Sequence, residues 1–182
     1  MGKSTWVLDP AHSLAEFAVK HMMISTVKGR FSGVAGTIEG DLPNLTTARI
    51  EATIDVATID TREAQRDGHL RSADFFDAEK FPQITFRSTR IHAASDNEYK
   101  LAGDLTIRGV TREVVLDATF EGIGKDPWGN ERAGFSAEAT IDRKDFGLVW
   151  NAVLETGGIL VGDKVKMGIQ VEAIRQVAQV TA

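Results

Sequence analysis

Apolar and polar side chains alternate one for one in stretch after stretch of this 182-residue chain. A period of two restricts those stretches to β-strands with one greasy face and one wet face. Ala15, Phe17 and Val19 share a face, against Glu16, Ala18 and Lys20. Ile50, Ala52, Ile54 and Val56 oppose Arg49, Glu51, Thr53 and Asp55. Tyr99, Leu101, Gly103, Leu105 and Ile107 oppose Lys100, Asp104, Thr106 and Arg108. Val114, Leu116, Ala118 and Phe120 form another row, and so do Phe135, Ala137, Ala139 and Ile141. Val165, Met167, Ile169, Val171 and Ala173 form the last. Two further strands are expected at 30–39 and 84–92; in the first, the apolar phase slips around Gly33, which predicts a bulge. Parallel sheets bury both faces, so one-sided strands pair antiparallel. Turn signals at Gly40-Asp41, Asp96-Asn97, Gly109 and residues 124–130 agree. An all-β, antiparallel sheet of about eight or nine such strands covers its apolar face by closing into a barrel or folding into a sandwich.

The inward rows mix large residues with small ones: Gly36, Ala52, Gly103, Ala118, Ala137, Ala139 and Ala173. A barrel of about eight strands has room for packed side chains or for one small ligand. Small inward residues leave volume for a ligand, or they meet large ones across a narrow sandwich. Spacing alone leaves both open.

One segment breaks the pattern. Asp60-Thr61-Arg62-Glu63 reads as a helix start, with Asp60 as N-cap and Glu63 closing a capping box. A short helix is expected near residues 62–72, weakened by Gly68 and stopped by Pro82 before a strand at Ile84. Arg62, Arg66 and His69 would share a face, and Asp67 and Arg71 would pair on another. Leu70, Phe75 and Phe76 form its apolar end. The segment is either a lid on the barrel, its charges solvated, or a mouth that offers Arg66 and His69 to an anionic or hydroxyl head group.

Other chemistries find little support. The net charge of -5 argues against nucleic acid and against an anionic membrane as bulk electrostatic partners, leaving a local basic cluster open. Without cysteine there is no disulfide, thiolate nucleophile or thiolate metal site. No apolar run approaches the ~20 residues of a membrane helix, so no stable membrane insertion is expected. The first residues carry no apolar leader, so the chain as given reads as cytoplasmic. Residues 2–5 end like a phosphate loop but lack its preceding strand, and Gly2 lacks the following pattern of a myristoylation site. His12, His21, His69 and His92 show no close metal-ligand spacing, so no metal is expected. Asp9, His12 and Ser13 have the residue types of a triad, but they crowd one turn without a nucleophile elbow, so no catalytic residue is expected there.

Five segments in order, WVLDPAHSLAEFAVKH, VKGRFSGVAGTI, RDGHLRSADFFDAEKFPQITF, LAGDLTIRGVTREVVL and GFSAEATIDRKDFGLVWN, resemble the YceI family of bacterial lipocalin-like proteins. The resemblance spans nearly the whole chain and is compatible with one domain over residues 1–182. It implies an extended lipocalin-like barrel with an apolar tunnel that binds a long polyisoprenoid or similar amphipathic lipid, with no other cofactor. Many family members are periplasmic and carry a leader; the start of this chain departs from that. The tunnel wall expected here comprises Phe17, Val19, Phe31, Ile54, Phe75, Phe86, Leu105, Phe120, Phe135, Trp150 and Met167. Arg66, His69 and His21 are the head-group candidates, and a homodimer is compatible with such a barrel. Two rivals stand beside the carrier reading. One is an enzyme using His21 or His69 as acid–base, which needs a carboxylate beside the histidine that the inward rows do not offer. The other is a stress-related interaction module on a barrel scaffold.

Overall fold

Each alternating row forms a strand in the computed structural model, which describes residues 3–177. Gly2 and the ends of the expected domain, residues 1–2 and 178–182, lie outside the described residues. The strands are β1 (Ser4–Leu8), β2 (Leu14–His21), β3 (Ser25–Phe31), β4 (Val34–Asp41), β5 (Asn44–Asp55), β6 (Ile59–Asp60), β7 (Gln83–Ala93), β8 (Glu98–Ile107), β9 (Val110–Lys125), β10 (Glu131–Asp142) and β11 (Val161–Arg175). Among the described residues one α-helix, α1, spans Ala64–Arg71.

All pairings are antiparallel, and the sheet runs β1-β4-β5-β7-β8-β9-β10-β11 before closing from β11 back onto β1. Closure is made by Trp6 opposite Arg175, Val7 opposite Ile174 and Leu8 opposite Ala173. The long β11 also pairs with β2 along its first part, and β2 pairs with β3, which pairs with β6. So β1 with β2, β4 with β3, and β5 with β6 each act as one kinked wall strand, and the result is a closed eight-stranded barrel. Barrel closure removes the sheet edges that an open sheet of this length would expose.

The kink between β3 and β4 corrects the bulge expected at Gly33. Instead of one extra residue, the strand breaks there and turns a corner over the matching break between β5 and β6. The Gly33 N–H donates to Thr58 Oγ1 at 3.1 Å, and the Asp55 N–H donates to the Gly33 carbonyl at 2.8 Å. A Cβ on Gly33 would sit 2.8 Å from the Thr58 methyl, so only glycine lets the two corners nest. A register shift between Ser88 and Arg90 re-phases β7 and brings Ile91 into the core. The short β1 and β6 and the mostly polar start of β3 were not expected, because none presents a long enough apolar row.

The helix also differs from expectation. Glu63, not Asp60, is the N-cap; its carboxylate accepts the Arg66 N–H. Asp60 instead accepts from the Arg62 N–H at 2.8 Å, holding Arg62 at a φ of 67° outside the helix and off the face of Arg66 and His69. Asp67 does not face Arg71. It is buried and accepts from the Thr61 N–H at 2.8 Å and from the Thr61 hydroxyl, which ties the helix to the end of β6.

The barrel end away from α1 is sealed by Leu8, Leu45, Tyr99, Ala133 and Ala173, all buried; Ala133 and Ala173 face each other across β10 and β11. The Tyr99 hydroxyl donates to the Pro43 carbonyl at 3.1 Å, which satisfies its polar tip there. Not every small inward residue leaves space. The ring of Phe86 lies over Gly103 so closely that a Cβ there would collide with it.

Candidate ligand cavity

The inward rows converge on a cavity of about 350 Å³ toward the other end. Phe17 and Val19 from β2, Phe31 from β3, Ile54 from β5, Phe86 from β7, Leu105 from β8, Phe135 from β10 and Met167 from β11 line it. Phe75, following α1, and Trp150, in the loop before β11, complete the wall. Several of these inward side chains, Phe17, Ile54 and Met167 among them, are only half-buried, because they face an internal space. Phe120 corrects the expected list. The register shift between Gly134 and Phe135 sets Phe120 opposite Phe135, and it packs on that ring with centroids 5.4 Å apart, off the cavity. The spacing did give the right face for Phe120, but it could not say that the row runs past the cavity into the sealed end.

The mouth is built by α1, the β2–β3 hairpin and the loop from Leu148 to Leu160. All three head-group candidates border the cavity there: Arg66 and His69 on α1, and His21 at the end of β2, opposite Val161. The exposed Lys20 borders it as well. His69 sits in an aromatic corner, its ring 5.1 Å from Phe75 and 4.7 Å from Trp150, both contacts edge-on. Edge-on contacts set the positive ring edge against a π face. Arg66 spends its Nε–H on Thr61 Oγ1 at 2.8 Å and an Nη2–H on the Thr61 carbonyl at 2.7 Å. Its guanidinium is thus pre-positioned rather than freely swinging. The turn after α1 adds what the strand rows lacked, a carboxylate beside a histidine: Asp74 Oδ2 is 2.9 Å from His69 Nε2.

Arg143 is a wall residue whose role the sequence reading missed. It is 3% exposed, yet it lines the cavity. Its guanidinium donates to the carbonyls of Gly162 (2.8 Å), Leu148 (2.6 Å), Trp150 (2.9 Å) and Val161 (3.3 Å). Burial pushes its pKa down from the ordinary arginine value, against the pull of Asp163 and Asp142. The side chain fastens the Trp150 loop to the start of β11, and the available signal was an arginine in the turn after a strand, DRKDFG, which by itself reads as solvated.

Asp9, His12 and Ser13 lie at the sealed end in a structural charge network. Arg132 donates to Asp9 and to Asp126, each at 2.8 Å, and His12 Nδ1 is 2.9 Å from Asp9. The Arg132 guanidinium holds both carboxyls down to about 2, with His12 adding to the effect on Asp9 and the Asn130 and Trp128 N–H groups to that on Asp126. Ser13 Oγ accepts the Glu172 N–H at 3.4 Å. Among the described residues no group of three or more His, Asp or Glu side chains is arranged to hold a metal.

The YceI-like domain family matches residues 6–173 of this chain. A UPF0312 protein of Staphylococcus aureus strain N315 is 39% identical over 170 residues, covering 93% of this chain and 96% of its own. Among solved structures, BcnA of Burkholderia cenocepacia superposes with a TM-score of 0.79 at 26% identity, over 91% of this chain and 98% of its own. A Campylobacter jejuni YceI protein superposes at 0.73 with 33% identity, over 87% of this chain and 90% of its own. A polyisoprenoid binding domain from Saccharophagus degradans shares the fold at 0.72 with 15% identity, over 94% of this chain and 98% of its own. With the domain match running from Trp6 in β1 to Ala173 in β11, this chain belongs to the YceI-like family.

Proposed function

We propose that this protein binds a long apolar lipid, a polyisoprenoid or similar amphipathic chain, in the barrel cavity and carries or stores it unchanged. The observation that carries this reading is a cavity of about 350 Å³ whose wall is almost wholly hydrocarbon, with Lys20, His21, Arg66 and His69 at its mouth. Water inside such a space has too few partners to be stable. A hydrocarbon chain buried there gains roughly 0.8 kcal/mol per methylene before ordering losses. The polyisoprenoid binding named for the Saccharophagus degradans domain supports the same ligand class. Organic extraction of gently purified protein followed by mass spectrometry should return a long-chain lipid in near-stoichiometric amount. Protein that repeatedly yields none, and that takes up no polyprenyl probe, would refute the proposal.

The pairing of His69 with Asp74 favours one second reading, acid–base chemistry on a substrate at the mouth. The two readings separate on His69→Gln. A carrier variant keeps its bound lipid with altered affinity; an enzyme variant loses all turnover of a bound lipid that the native protein converts.

A further inference from the structure

The mouth of the cavity is ringed by apolar side chains that the fold does not use. Ile24 is 81% exposed, Val153 82%, Val149 62% and Met23 59%. Met22 and Met23 are the two central residues of the β2–β3 turn, with φ of 53° and 61°, closed by the Ile24 N–H on the His21 carbonyl at 3.1 Å. Such turns are usually Asn-Gly, because side chains resist the left-handed region. Two methionines and an isoleucine there oppose both backbone preference and hydration, and strain of this kind is kept where a function needs it. The Met22 N–H donates to the Leu160 carbonyl at 2.8 Å, so the hairpin tip and the loop bearing Val149 and Val153 form one continuous rim. His21 and Leu160 belong to that rim and also border the cavity.

The rim is also basic in an acidic protein. From residue 17 to residue 38 the chain carries Lys20, Lys28 and Arg30 and no carboxylate, whereas the net charge is -5. Arg30 is 3.7 Å from Asp60, which leaves Lys20 and Lys28 as the cations of the exposed hairpin. Glu155 is the one carboxylate of the 148–160 loop.

We infer that this rim docks on the surface of a bilayer containing anionic lipids. The inference rests on the lipid-carrier reading. Met23, Ile24 and Val153 enter the headgroup region, while Lys20 and Lys28 contact phosphates. The cavity mouth then faces the bilayer, and a hydrocarbon chain passes between the two without crossing water, a cost that grows with every methylene. Docking is interfacial: no helix among the described residues is long and apolar enough to cross a membrane.

The test is vesicle flotation of the full chain with phosphatidylcholine vesicles, with and without phosphatidylglycerol. The protein should float with the phosphatidylglycerol vesicles at low salt and release as salt rises. Lys28→Glu should weaken partition about fivefold or more. Ile24→Asp combined with Val153→Asp should abolish it while keeping the native amount of extractable lipid. Ala137→Phe, which fills the cavity, should lose lipid and still float, so failure of docking and failure of lipid binding give different results. The inference is overturned if the native protein ignores phosphatidylglycerol vesicles at low salt, or if the double variant floats equally well. It is overturned in favour of a second copy if light scattering shows a dimer that the double variant dissociates without any change in flotation.

Discussion

The imidazole of His69 meets the indole of Trp150 edge-on, with centroids 4.7 Å apart and ring planes at 87°, and Phe75 closes the corner 5.4 Å from the same indole. Any chain entering the cavity at this end passes beside these rings. Trp150 should therefore report occupancy of the cavity. The other tryptophans are elsewhere: Trp6 is buried on β1, and Trp128 is 81% exposed on the β9–β10 turn. A brominated long-chain lipid should quench the intrinsic fluorescence, Trp150→Phe should remove most of that quenching, and Trp128→Phe should not. Equal quenching in native protein and Trp150→Phe would place the ligand elsewhere.

Ala137 faces the cavity between Ala118 on β9 and Ile169 on β11. Ala137→Phe puts a ring where the ligand would lie. Lipid uptake should fall at least tenfold. Overpacking a dense core costs about 1–3 kcal/mol, but here the ring enters open space, so lipid-free stability should change by less than about 1 kcal/mol. Titration with a polyprenyl probe and denaturant unfolding measure the two effects; intact uptake in a folded variant would count against the cavity as the binding site.

The Arg132 network makes the sealed end sensitive to acid. Asp9 and Asp126 are held at about 2, below their ordinary 3.8, chiefly by the Arg132 guanidinium. Depressed carboxyls stabilise the fold above the unfolded value, and that stabilisation is lost as pH falls through the folded value. Stability from this network should thus be flat above about pH 4 and decline from there toward pH 2. Arg132→Gln should be less stable at neutral pH, and its deficit should shrink over that window, as read by urea unfolding across the pH series. A deficit independent of pH would assign the role of Arg132 to packing.

Arg143 satisfies four backbone carbonyls from within the wall. Arg143→Met leaves buried acceptors without donors, at a cost of about 3 kcal/mol or more. Arg143→Lys should recover only part of this, since one ammonium cannot span the fork that reaches Leu148, Trp150, Gly162 and Val161. Both variants should also shift the Trp150 emission, because the loop that places the indole is fastened by this side chain. Native-like unfolding midpoints would show that the loop holds without it.

Several wall residues were legible because a barrel strand repeats every two residues. Once Phe17 is inward, Ala15 and Val19 must be, and the same holds for Phe135 with Ala137 and for Met167 with Ile169. The phase gives the face but not the depth along the barrel, and so Phe120 was assigned to a cavity that it does not reach. Nor does it give what a gap contains: Gly103 looked like free volume, and the Phe86 ring occupies it. At the mouth, capping chemistry was read three residues too early: Asp60 has the side chain usual at an N-cap and Glu63 the one usual at the third helical position, but the left-handed Arg62 between them delays the helix until Glu63 caps it.

Local alternation, read from neighbouring residues alone, determined that this chain is an antiparallel β protein with one apolar face per strand. Whether that face closes round a hollow, where the mouth opens, and which of His69, Arg66 and the buried Arg143 has its donors already committed were decided by the tertiary structure. The physical reason is range. Strand phase is set by the covalent pleat two residues at a time, whereas a cavity is bounded by strands far apart in the chain, joined only when β1 pairs with β11.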